Sequence, residues 1–146
     1  MPWDNSAAAG FTSSTPWLPL SQDWRQTNVA CEQHDPESML SLYKRLIRMK
    51  KSSKALTAGT YHPIDGGPSE CLLFRRESHL EGRRESLLIA VNFSAQAQKI
   101  SLPAESSGFA QAGRLMCSTD PHRIESPGTA DQFHLGPDEG IVVRLQ

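Results

Sequence analysis

Residue types that could carry chemistry are few in this chain, and they are scattered. His34 stands directly before Asp35, a histidine–carboxylate pair of the kind that orients a general base. Cys31, three residues upstream of His34, makes the one close cysteine–histidine pair, the minimum for an activated thiol nucleophile. Each has a plainer explanation. Asp35-Pro36-Glu37 reads as a helix start, with an N-cap carboxylate, a proline at the first helical position and an acid in the first turn. Cys31 lacks a third group that would position it. The five histidines, His34, His62, His79, His122 and His134, show no i, i+4 pairing, so no metal site is expected. Cys31, Cys71 and Cys117 are odd in number and widely spaced, which fits neither a disulfide framework nor a zinc site. Cys71 and Cys117 fall in apolar runs and are expected as buried, reduced thiols in a cytosolic setting. Gly66-Gly67-Pro68 precedes a strand pattern, so it reads as a turn and not as a phosphate loop.

The elements that must position these groups are legible in the pattern of apolar residues. Residues 1–34 carry no sustained period, yet hold Trp3, Trp17 and Trp24, an unusual load for a disordered leader. A loop that packs against something is the better reading. Met39, Leu40, Tyr43, Leu46 and Ile47 recur at helical offsets, with Lys44, Arg45, Arg48, Lys50 and Lys51 on the other face and in the last turn. The spacing predicts a helix over 36–52. From Gly59 onward the period changes to short runs, at 59–62, 71–75, 87–93, 98–102, 113–117, 132–135 and 141–145. Turn residues separate them: Gly66-Gly67-Pro68, Glu81-Gly82-Arg83, Pro103, Ser107-Gly108, Pro127-Gly128 and Gly136-Pro137. Short strands with no helices between them predict an antiparallel, sandwich-like β-domain.

Composition narrows the function classes. Fifteen Lys and Arg against sixteen Asp and Glu leave a net charge of −1, without the basic excess that nucleic acid or an anionic membrane surface attracts. No apolar run approaches the ~18 residues of a membrane span. The basic residues Arg45, Arg48, Lys50 and Lys51 read as a solvated helix face, and Arg83-Arg84 as a charged hairpin tip. With 146 residues the chain is shorter than the ~250 typical of a whole (β/α)8 barrel.

The string Met1-Pro2-Trp3-Asp4-Asn5-Ser6, then Ala9-Gly10-Phe11-Thr12 and Pro16-Trp17-Leu18-Pro19, resembles a loop of α-amylase-family α-glucosidases. That group includes oligo-1,6-glucosidase, maltase and trehalose synthase. The likeness continues through Asp35–Leu40, Tyr43–Ile47, Ala55-Leu56, Gly59-Thr60-Tyr61, Phe74–Glu77, Val91-Asn92-Phe93-Ser94, Leu102-Pro103 and Leu135–Gly140. The resemblance implies that 1–57 (loop 1–34, helix 36–52) is the last βα unit of a (β/α)8 barrel. Residues 58–146 would be the C-terminal antiparallel β-domain. It also implies retaining hydrolysis of short α-linked gluco-oligosaccharides without a cofactor. The family's G-x-R-x-D and Asn-His-Asp motifs are absent, so no catalytic residue carries over and the chain by itself is expected to be inactive. The loop would line the rim of the sugar pocket, with Trp3 and Phe11 as stacking faces and Asp4 as a hydrogen-bond acceptor; packing of Trp3 and Trp17 onto the barrel is the competing reading. Two other classes stay open: a carbohydrate-binding module, and an interaction protein like the heavy chains of amino-acid transporters. Loss of barrel partners would also bare an apolar patch around Leu40, Tyr43 and Ile47 that favours self-association.

Overall fold

The structure, a computed structural model, describes residues 1–80, 82–102, 113–123 and 132–145. The turns expected at Pro103, Ser107-Gly108 and Pro127-Gly128 lie outside these residues, as does Glu81 of the Glu81-Gly82-Arg83 turn. The chain is mainly antiparallel β with few helices, in two compact units, Met1–Ile47 and Arg48–Gln146. No helix among the described residues is long and apolar enough to cross a membrane.

The first unit is mostly irregular, but it is ordered by its own hydrogen bonds. A short helix that the sequence pattern did not reveal, α1 (Val29–Glu32), starts on buried Asn28. The Asn28 Oδ1 accepts from the Cys31 amide at 3.0 Å, while Nδ2 donates to the Trp24 and Arg25 carbonyls at 3.0 and 3.2 Å. The long helix α2 spans Met39–Ser52, three residues later at its start than the pattern predicted. Asp35 does not cap it. Its Oδ1 accepts from the Glu37 amide at 2.9 Å, closing a turn ahead of the helix. The cap is Ser38, whose Oγ accepts from the Ser41 amide and whose carbonyl takes the first helical bond from Leu42. Glu32 adds a second acceptor, for the Leu40 amide at 2.9 Å. Serine and glutamate thus satisfy donors that a helix start always leaves open. The apolar stripe of α2 is there, yet none of its residues is buried; Met39, Tyr43 and Ile47 are each more than half exposed.

In the second unit α2 ends and α3 (Lys54–Ala58) follows, capped by the Ser53 hydroxyl. Gly59 then turns the chain into β1 (Thr60–Pro63). A Cβ at Gly59 would lie 2.4 Å from the Ala55 carbonyl oxygen and 2.6 Å from that of Glu77, so only glycine lets helix and strand meet there. The remaining strands are β2 (Cys71–Leu80), β3 (Arg83–Asn92), β4 (Gln98–Ser101), β5 (Gly113–Ser118), β6 (Gln132–Leu135) and β7 (Gly140–Leu145). They match the predicted runs, with β2 and β3 longer than the apolar stretches suggested. Five form one sheet in the order β1-β2-β3-β7-β5, and β4 pairs with β6. Leu73, Leu88, Ala90, Ile141 and Val143 of the larger sheet and Ile100, Phe133 and Leu135 of the smaller belong to one buried core. Cys71 and Cys117 are half-buried free thiols rather than fully buried ones, and Cys31 is exposed.

Candidate functional site

The loop of the first unit is held in shape by backbone bonds around Trp3. Its amide donates to the Ala9 carbonyl at 2.8 Å, and its carbonyl accepts from Ala30 at 2.9 Å. Asp4 Oδ1 accepts from the Ser6 amide at 2.9 Å, and Ser6 Oγ accepts from the Gly10 amide at 2.9 Å. Ala9, which is buried, and Gly10, which is exposed, both have left-handed backbone (φ +54° and +63°). A Cβ on Gly10 would sit 2.6 Å from Asp4 Oδ2, so the glycine makes room for that carboxylate. Hydrogen bonds from the Ser6 side chain and backbone hold the Asp4 carboxyl below the usual range. Asp4 is therefore an ionised acceptor at neutral pH.

The loop presents large aromatic side chains to solvent. Trp3 is 48% exposed, Phe11 58% and Trp17 86%, whereas Trp24 is buried with the Arg25 guanidinium 4.1 Å over its ring. An exposed aromatic face can take the C–H side of a polyhydroxylated ring, and a fixed carboxylate can accept one of its hydroxyls. The three residues singled out from the sequence thus share one short, internally bonded loop. The His34–Asp35 pair does not form. His34 Nε2 instead lies 3.1 Å from the Gln33 side-chain amide, while Asp35 faces its own turn.

Two further carboxylates are built into the second unit, and the linear pattern singled out neither. Glu77 lies on β2, with Arg84 Nε at 2.7 Å, His79 at 3.2 Å, Arg75 at 3.3 Å and His62 at 3.9 Å. Two of the scattered histidines therefore meet on one glutamate: His79 lies two residues along β2, and register brings His62 of β1 alongside. Burial by itself would raise the Glu77 pKa; the hydrogen bond from Arg84 and the charges of Arg75, Arg84 and His79 outweigh it and hold the carboxyl low. A carboxylate so engaged is a poor proton acceptor and serves the fold. Being depressed in the folded state, it contributes stability above its ordinary value of 4.5, and that contribution is lost as pH falls through the lower folded value. Glu77→Gln is expected to lower stability by about 2–3 kcal/mol at pH 7. It should also flatten the decline of stability below pH 4.5. Urea melts of both proteins from pH 7 to 3 check this, and parallel pH profiles would show that Glu77 carries no such linkage.

Glu139 is 3% exposed and accepts from Arg123 Nη1, Ser118 Oγ and the Gly136 amide, each at 2.7 Å. Next to it, buried Asn92 donates to the Gln96 and Gly136 carbonyls at 2.7 Å and accepts from Ser94. The segments Val91–Ser94 and Leu135–Gly140, far apart in the chain, are one polar knot. The spacing gave no sign of it, since its ion pair joins residues with no shared period. Among the described residues no group of three or more metal-binding side chains occurs.

Comparison with known proteins bears on the loop. The catalytic-domain profile of the α-amylase family matches residues 1–59. An oligo-1,6-glucosidase of Parageobacillus thermoglucosidasius is 35% identical over 104 residues, which cover 70% of this chain and 18% of that protein. A trehalose-6-phosphate hydrolase of Bacillus subtilis is 28% identical over 143 residues, 98% of this chain and 24% of its own length. The crystal structure of the trehalulose synthase of Pseudomonas mesoacidophila MX-45 superposes with a TM-score of 0.83 at 28% identity, over 99% of this chain and 24% of that one. The chain thus spans a quarter or less of the length of these relatives.

Proposed function

Because the chain belongs to the α-amylase family, we propose that it is the part of a retaining α-glucosidase that closes the barrel and follows it. Residues 1–57 form the last βα unit of the (β/α)8 barrel, and 58–146 the C-terminal β-domain. The substrate is a short α-linked gluco-oligosaccharide. The observation that carries this reading is the loop of 1–11, which holds an ionised carboxylate and presents two exposed aromatic side chains. Loops at the C-terminal ends of barrel strands surround the active site in this architecture. Trp3 and Phe11 offer faces for a pyranose ring, and Asp4 accepts a hydroxyl hydrogen bond. They bind and orient; bond cleavage falls to carboxylates outside these residues, and no cofactor is required.

The test is a chimera in which 1–146 replaces the matching portion of the oligo-1,6-glucosidase. Asp4→Asn is expected to lower kcat/KM about 10–100-fold, the equivalent of a charged hydrogen bond. Trp3→Ala and Phe11→Ala should each cost about 3–10-fold, the size of a stacking contact. All three should leave the melting midpoint nearly unchanged. Lower midpoints with unaltered kinetics of the folded fraction would instead make these residues packing elements and remove the rim assignment.

A further inference from the structure

The tip of the β2–β3 hairpin, together with the start of α3 and the end of β7, encloses a cleft of about 390 Å³. Among the described residues four cations line it, Lys54, Arg83, Arg84 and Arg144, against one carboxylate, Glu85. That carboxylate is already committed. One oxygen accepts from the Ser53 hydroxyl and the Ala55 amide, both at 3.0 Å, and the other from Arg144 at 3.0 Å. Arg84 is likewise turned to Glu77. The side chains of Lys54 and Arg83 make no hydrogen bond or ion pair among the described residues. Two uncompensated cations therefore share a concave site with two arginines whose positions are fixed by ion pairs. Like charges gathered in this way repel one another, and a bound anion relieves that repulsion.

We propose that this cleft binds a small phosphate monoester. A dianion balances the two unpaired cations, arginine forks suit phosphate oxygens, and the Ser78 hydroxyl adds a neutral donor on the lining. Leu80 and Leu145 supply an apolar wall for the organic body that carries the phosphate. The volume lies within the range of small-molecule sites. The site shares no residue with the aromatic loop and holds whether or not the loop binds sugar.

The experiment titrates the full chain with inorganic phosphate, and separately with glucose 6-phosphate and glucose, in low-salt buffer. Amide chemical shifts provide the readout. Saturable shifts are expected at Lys54, Ser78, Arg83 and Arg144 with both phosphates and not with glucose. Glucose 6-phosphate is expected to bind more tightly than inorganic phosphate; equal affinity would show that only the free anion is held and would overturn the monoester assignment. Lys54→Ala and Arg83→Ala should each weaken binding about tenfold, which corresponds to ~1.4 kcal/mol. Lys50→Ala, an exposed cation of α2, should leave it unchanged. If either alanine variant melts below the wild type, Lys54→Gln and Arg83→Gln replace it. Wild-type affinity in the double variant, or non-saturating shifts spread over lysines and arginines throughout the chain, would overturn the proposal.

Discussion

Residues 1–146 by themselves are expected to give no turnover of maltose, isomaltose or an aryl α-glucoside, whereas the chimera with the oligo-1,6-glucosidase should hydrolyse a substrate of that enzyme. Retaining hydrolysis needs two carboxyl groups ≈ 5–5.5 Å apart, one as nucleophile and one as acid/base. The carboxylates that the fold holds in place are otherwise engaged. Glu77, Glu85 and Glu139 are each tied to arginine, and Asp4 to Ser6. The acid of a retaining pair needs a raised pKa, and Asp4, Glu77 and Glu85 are all lowered. Enzymes of this kind supply at least about a million-fold over the uncatalysed reaction, so the contrast between the two proteins is large. Release of glucose that co-elutes with the chain through a second purification would refute the expectation.

Glu139→Ala should be the most damaging single substitution in the second unit. It removes the carboxylate from a site where Arg123 is only 17% exposed, stranding that guanidinium together with the Gly136 amide and the Ser118 hydroxyl. Breaking a buried pair from one side costs about 3–5 kcal/mol, because the remaining charge stays buried without its partner. With a urea dependence of about 1–3 kcal/mol per molar for a small domain, the unfolding midpoint should fall by about 1–5 M. Arg123→Ala paired with Glu139→Ala should cost much less than the sum of the two single changes, as expected for residues that share one interaction. A midpoint shift below about 0.3 M for Glu139→Ala would mean that the knot is solvated and contributes little.

The aromatic loop and the Glu139 knot mark different limits of what a linear pattern reveals. Trp3, Asp4 and Phe11 are close in sequence, so a distinctive string could single them out, and the structure finds them in one hydrogen-bonded loop. His62 and Arg84 come to Glu77 through strand register, whereas His79 is two residues along the same strand. The start of α2 shows the same limit at short range. Asp35-Pro36 is a sound helix start, but Asp35 closed its own turn and Ser38 took the cap, with Glu32 reaching across eight residues to help.

By itself the sequence determined the long helix, all seven strands of the described residues and the mainly antiparallel class, because these follow from side-chain period and from glycine and proline, which act locally. It also carried the family, through strings spread over the loop of 1–19, the helices and the strands. Tertiary structure alone decided the order β1-β2-β3-β7-β5, the pairing of β4 with β6, and the partners of each buried carboxylate. It also decided that Lys54, at the start of α3, and Arg83, at the hairpin tip, share one cleft. The physical reason is that period records only which face of an element is apolar. Which partner that face or a charge finds is set by register and packing between residues far apart in the chain.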